Sequence, residues 1–140
     1  MMQICFEVPG QPRGKGRPRF ARRGNFVKTY TDAATASYED QIRFYALQAM
    51  GSSEPLKGPL EAAIYIRLPV PRSYPKKRVA ACLSGLEWPS KKPDWDNVAK
   101  SICDGMESII FVCDSQIVEC HVRKVYAEIA GVDVLIKEKE

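Results

Sequence analysis

The run Leu60 to Leu68 constrains the fold more than any other segment. Ala62, Ile64, Ile66 and Leu68 fall at every second position, which places them on one face of a β-strand and scatters them around a helix. Gln3 to Val8 has the same period, with Ile4, Phe6 and Val8 on one face, and Pro9-Gly10 ends it. Gln116 to Tyr126 also alternates, with Ile117, Val118, Val122 and Val125 among its apolar residues. Gly131 separates it from a last strand, Val132 to Ile136. Between these strands the period becomes helical. Thr31-Asp32 reads as a helix start, and Ala33 to Met50 carries Tyr38, Ile42, Tyr45 and Ala49 at helical spacing. A second main helix starts near Trp95, with Val98, Ile102, Cys103 and Met106 as its apolar stripe. Pro69 to Pro93 is a long Pro- and Lys-rich connection with a short helix near Lys76 to Ser84. A connection of that length in a compact domain is usually functional or mobile.

The order β-loop-α-β-loop-α-β-β predicts an α/β (α+β) fold, with a mixed sheet packed by two main helices. A length of 140 residues fits one domain spanning 1–140, and 45% hydrophobic residues suffice for a core. A core of this size is modest, which leaves room for a dimer to add buried surface. No apolar run approaches the ~18 residues of a membrane span. The first residues lack the charged start and apolar stretch of a signal peptide. A cytoplasmic protein with no membrane partner is the expectation.

The five cysteines, Cys5, Cys82, Cys103, Cys113 and Cys120, are odd in number and irregularly spaced. That pattern argues against a disulfide framework, and without a paired C-x2-C element a zinc site is disfavoured. Free thiols, buried or on strands, are expected. The single histidine, His121, lies in an alternating run, where a structural role outweighs a nucleophilic site.

The net charge of +4 matters less than its distribution. Val8 to Thr31 holds no acidic residue but carries Arg13, Lys15, Arg17, Arg19, Arg22, Arg23 and Lys28. Ala62 to Leu86 is also acid-free and holds Arg67, Arg72, Lys76, Lys77 and Arg78; Lys91 and Lys92 follow. Segregation of this kind is the footprint of a polyanion-binding surface. Gly10 to Phe20 is too rich in Gly and Pro for a regular helix. It reads as a flexible arginine-rich loop that tracks a sugar-phosphate backbone, with Phe20 or Phe26 available for base stacking. A solvated basic loop with no partner is the plainer alternative.

The chemistry concentrates in Lys91-Lys92-Pro93-Asp94-Trp95-Asp96-Asn97-Val98-Ala99-Lys100, followed by Asp104 and Asp114. Pro93 biases the residue before it toward extended backbone, which suits Asp94 as an N-cap with Asp96 in the first turn. Acids at a helix start also meet the macrodipole favourably and need do nothing else. Asn97, Lys100 and Asp104 share the face opposite Val98 and Ile102. Carboxylates beside a bound polyanion repel it unless a cation intervenes, and hard oxygen donors suit Mg2+. A helix from Trp95 to about Ser108 rises roughly 20 Å, and Ile109 to Cys113, if extended, returns roughly 16 Å. Asp114 then lies near Asp94 and Asp96, where three carboxylates could surround one or two ions. Turn chemistry would favour Asp at position 114 regardless.

These residues, together with Asp114-Ser115-Gln116-Ile117-Val118-Glu119 and Arg123-Lys124, resemble the core signature of the RusA-type Holliday junction resolvases. Gly14-Lys15-Gly16-Arg17-Pro18-Arg19 is similar to a second block common in phage and prophage members. The resemblance runs through most of the chain. It implies the family's α/β domain assembled as an intertwined homodimer. It also implies Mg2+, with Mn2+ as a substitute and no small-molecule cofactor, held by Asp94, Asp96 and Asp114. Lys100 matches the family's functionally important lysine. Two departures stand out: Cys113 precedes Asp114 where the family often has Asp-Asp, and Trp95 replaces the usual Leu, with packing as its expected role.

The implied activity is a metal-dependent endodeoxyribonuclease that resolves Holliday junctions and other branched DNA by paired phosphodiester hydrolysis, in recombination and repair. Asp94, Asp96, Lys100 and Asp114 are the expected catalytic residues, with Asn97 and Asp104 in support. Arg13, Lys15, Arg17, Arg19 and Lys92 are the expected DNA contacts. The alternatives are a non-catalytic branched-DNA-binding protein of the same fold and a broader structure-tolerant nuclease.

Overall fold

A computed structural model describes residues 2–16, 19–24, 26–30 and 33–140, and for the strand residues 19–23 and 26–30 it describes the backbone alone. The elements run β1 (Gln3–Pro9), β2 (Arg19–Arg23), β3 (Phe26–Tyr30), α1 (Ala33–Met50), β4 (Leu60–Leu68), α2 (Lys76–Leu83), α3 (Trp95–Met106), β5 (Ile117–Tyr126) and β6 (Gly131–Glu138), with a 3-10 turn at Asp114–Gln116. Four strands form a mixed sheet in the order β1-β6-β4-β5. Only the β4–β5 pairing is parallel. The expected α+β domain, with a mixed sheet and two main helices, is what forms.

The alternation in β4 explains why the sheet has one buried face. Leu60, Ala62, Ile64, Ile66 and Leu68 are buried, as are Val132, Val134 and Ile136 on β6 and Ile4 and Val8 on β1. The two long helices cover that face. α1 contributes Tyr38, Ile42, Ala46 and Met50, and α3 contributes Val98, Ile102 and Met106. At their crossing, Gly105 lies so close to α1 that a Cβ there would stand 2.6 Å from Ile42 Cγ2. Gly51, at φ +57°, ends α1 in the left-handed conformation, and its N–H donates to Leu47 O at 3.0 Å. Among the described residues, no helix is long and apolar enough to cross a membrane.

Two local expectations change, and one falls outside the described residues. The basic segment forms the β2–β3 hairpin, turning around Gly24 at φ +59°, rather than staying a loop throughout. Glycine readily takes that conformation, which lets the chain reverse and pair the two five-residue strands. Thr31 and Asp32, read as the start of α1, lie outside the described residues. Ile109 to Cys113 is a compact turn and not an extended return. Ser108 has φ +70°, and the Ile109 and Ile110 N–H groups both donate to Met106 O at 3.0 Å. Ile110 and Phe111 are fully buried, so their apolar run packs into the core. His121 is exposed, edge-on to Tyr65 at 6.3 Å between centroids, on the sheet face that the helices leave open.

Candidate active site

Residues distant in sequence, from the Gly-rich loop to the turn at Asp114, meet along α3. The Gly-rich loop lies directly on this helix: the Lys15 N–H donates to Asn97 O at 3.0 Å. A Cβ at position 14 would stand 3.0 Å from Asn97 Cβ, so glycine there permits the close approach. Pro93 and the cis Lys92-Pro93 peptide lead into Asp94, which occupies the N-cap position of α3 with extended backbone (φ -68°, ψ 140°). Its carbonyl takes the Val98 N–H at 3.1 Å, but its carboxylate makes no capping hydrogen bond. The Asn97 side-chain amide donates to Asp94 Oδ2 instead, at 3.4 Å. Capping therefore does not account for the Asp94 carboxylate. Asp96 is exposed in the first turn and makes no hydrogen bond or ion pair with another described residue.

One turn further on, Lys100 bridges two acids. Its Nζ lies 3.0 Å from Asp104 Oδ1 and 3.3 Å from Asp114 Oδ2. Asp104 also pairs with Lys15, which reaches Glu39 Oε1 at 3.1 Å. The Asp104 hydrogen bond raises the Lys100 pKa most; burial opposes it, and Asp114 adds to the rise. Lys100 is thus a fixed cation at neutral pH and a poor proton acceptor. Lys15 is raised for the same first reason, its bond to Asp104. Burial pushes the Asp104 carboxyl up, but hydrogen bonds from Lys15 and Lys100 outweigh it and leave the pKa lowered.

Asp104→Asn should lower stability by about 1–3 kcal/mol, the scale of charge-assisted hydrogen bonds. A depressed folded-state pKa gives stability that is complete above the unfolded value, near pH 4, and lost as pH falls through the folded one. Urea titrations from pH 7 to pH 2 should therefore show the wild-type advantage over Asp104→Asn shrinking with acid. An advantage that is constant across that range would remove the ionised carboxylate as its source.

Asp114 is carried by the 3-10 turn, and the turn hangs on Gln116. Its Oε1 accepts the Val112 and Cys113 N–H groups at 2.8 and 2.9 Å, while its Nε2 donates to Leu56 O and Gly58 O, both at 3.0 Å. Because the preceding segment is a turn, Asp114 is not carried back to the start of α3 beside Asp94 and Asp96, as an extended run would have done; it lies along the second half of the helix, with Lys100 and Glu107. Ligand atoms of Glu107, Cys113 and Asp114 lie within 4.8 Å of one another; Asp94 and Asp96 are not in that group. The Glu107 and Asp114 carboxylate oxygens, beside the C-terminal half of α3, suit a Mg2+ ion, whereas the Cys113 thiol does not. Sequence reasoning missed Glu107 and the part played by Gln116. A polar residue closing the Asp114 turn was the available signal for Gln116.

The cations divide into engaged and open ones. Arg13 and Lys92 are exposed, and with Gln11, Lys15, Asp94 and Asn97 they line a cavity of about 460 Å3. Lys15 is held by Asp104 and Glu39. Arg17 lies outside the described residues, and for Arg19 only the backbone position in β2 is described. Trp95 is 58% exposed, so the packing expected of it is not made.

Acids with open coordination positions, a lysine that keeps its proton and a basic cavity on one helix are the equipment of a nuclease. Residues 9–137 match the family described as Endodeoxyribonuclease RusA. The chain belongs to that family of endodeoxyribonucleases. It is also 32% identical over 137 residues to the uncharacterized protein YqaN of Bacillus subtilis (strain 168), a match that covers 96% of each chain.

Proposed function

We propose that this protein is a Mg2+-dependent resolvase that nicks four-way DNA junctions in pairs as a homodimer in the cytoplasm. The observation that carries this reading is the uncapped Asp94 carboxylate on the wall of a cavity whose rim is Arg13 and Lys92. An acid facing a phosphate-binding surface is repulsive unless a divalent ion lies between them. The family resemblance assigns Asp94, Asp96 and Asp114 to that ion, with Mn2+ as a substitute; the three carboxylates do not lie within 4.8 Å of one another, so binding would have to draw them together. When bound, it lowers the pKa of water and neutralises charge on the phosphate.

The chain's own groups supply the rest. Asn97 orients the Asp94 carboxylate through its 3.4 Å hydrogen bond. Lys100 keeps its proton and offers a fixed positive charge to the phosphate oxygens as negative charge develops on them. Asp104 holds Lys100 in place. Arg13 and Lys92 take backbone phosphates, with Arg17 and Arg19 of the same basic segment as further contacts and Lys15 pinning that segment to α3. Two such sites related by a dimer axis would cut two strands symmetrically. Arg13→Ala should weaken junction binding uniformly across sequences and reduce the salt slope of log K by about 1. An unchanged slope in a fluorescence-anisotropy salt titration would take Arg13 off the phosphate path.

The test of substrate is cleavage of a four-way junction, a flap and a linear duplex of matched sequence, with the nicks mapped on every strand. Paired nicks near the crossover, with the other two substrates intact, are expected. Equal cutting of flap and junction would favour the broader nuclease. Cys113 beside Asp114 favours a second reading, a junction-binding protein with no cleavage, because a thiol stands among the acids. On the resolvase reading, Cys113→Asp raises the cleavage rate above an already measurable wild-type rate. Cutting that appears only in Cys113→Asp would support the binding reading.

A further inference from the structure

We propose that a second cavity, next to Asp94, receives one unstacked nucleotide of the strand being cut. This proposal rests on the nuclease reading above. β4 and β5 run parallel, with Leu68 and Tyr126 as register partners, so both strands end on the same side of the sheet. A cavity of about 510 Å3 opens there, within the ~300–1,000 Å3 range of small-molecule sites. Its walls are Val70, Pro71, Pro89, Pro93 and Tyr126, and Pro89 is buried. Stiff proline rings and a planar phenol make apolar walls with few donors, which suit the face of a base better than a sugar-phosphate chain.

The rim carries the complementary charge. Arg72, Lys91 and Lys92 are exposed along it, where the phosphates flanking an inserted base would lie. The loop that forms one wall is fixed by contacts: Lys124 Nζ donates to Lys91 O at 2.6 Å, and the Lys91 ammonium sits 5.7 Å from the centre of the Tyr74 ring. Gln11, Lys92 and Pro93 line this cavity and also the one containing Asp94. A strand can therefore pass from the apolar cavity to the carboxylate without leaving the basic rim. Gln11, with an amide that both donates and accepts, is the rim group able to read a base edge. Pulling a base from its stack costs least where pairing is already interrupted, as at a crossover. The cavity thereby gives the site a reason to prefer branched DNA to duplex.

The test uses the full chain and four-way junctions carrying 2-aminopurine at successive positions around the crossover. Binding is followed with Ca2+ in place of Mg2+, and cleavage is followed separately with Mg2+. Fluorescence should rise severalfold at one position adjacent to the cut. Val70→Trp, which fills the cavity, should remove that rise, and an abasic site at that position should slow wild-type cutting roughly tenfold. Cutting with no fluorescence change at any position, and no effect of an abasic site or of Val70→Trp, would overturn the cavity proposal and leave the nuclease reading intact. A Val70-dependent fluorescence rise without cutting in Mg2+ or Mn2+ would keep the cavity and overturn the nuclease. If Val70→Trp fails to fold, the abasic series on the wild-type protein decides the question.

Discussion

Asp94→Asn should leave junction affinity within a small factor of wild type and lower the cleavage rate by roughly a hundredfold or more, the scale of losing one group that stabilises charge in a transition state. The substitution is nearly isosteric, and the carboxylate makes no capping bond for α3 to lose. Its described side-chain partner is Asn97, at 3.4 Å, which an amide at position 94 can also engage through its oxygen. Folding therefore stays close to wild type, and any change in rate belongs to the chemistry. Binding can even tighten slightly, because one negative charge leaves a phosphate-facing cavity. Parallel measurements of Kd by anisotropy and of single-turnover cleavage separate the two effects. Wild-type cutting by this variant would remove Asp94 from the mechanism.

Gly105→Ala should lower stability by about 1–3 kcal/mol, the usual cost of overpacking a close contact. The added methyl would stand 2.6 Å from Ile42 Cγ2, 2.7 Å from Ile42 Cβ and 3.2 Å from the Glu39 carbonyl. Ile42 is fully buried and β-branched, so it cannot swing aside; α1 and α3 must separate. The intrinsic preference of a helix for Ala over Gly opposes this by only about 1 kcal/mol. The separation also moves Glu39 away from Lys15, and so disturbs the clamp on the Gly-rich loop. A urea midpoint unchanged in Gly105→Ala would mean that the two helices can part without cost.

Much of this was legible in the sequence, for identifiable reasons. β4 and α1 are readable because period and burial agree: every second residue of Leu60–Leu68 is buried, and Gly51 closes the helix that ends at Met50. The polar face of α3 was also readable, since Lys100 and Asp104 are one turn apart on it. The path from Met106 to Asp114 was not. An apolar run such as Ile109 to Val112 looks the same whether it extends or turns into the core, and Ser108 gives little warning of a positive φ. The roles of charged residues were the least legible. Lys15 and Arg13 stand two apart in one basic stretch, yet Lys15 is neutralised by Asp104 and Glu39, residues distant in sequence, while Arg13 stays exposed.

The most direct measurement is cleavage of a mobile four-way junction by the wild-type protein over a Mg2+ titration, from chelator alone to millimolar ion. Paired nicks at the crossover that rise with Mg2+, return with Mn2+ and vanish in chelator are the predicted result. Tight junction binding with no nicks at any concentration of either ion, or nicks that persist in chelator, would contradict it.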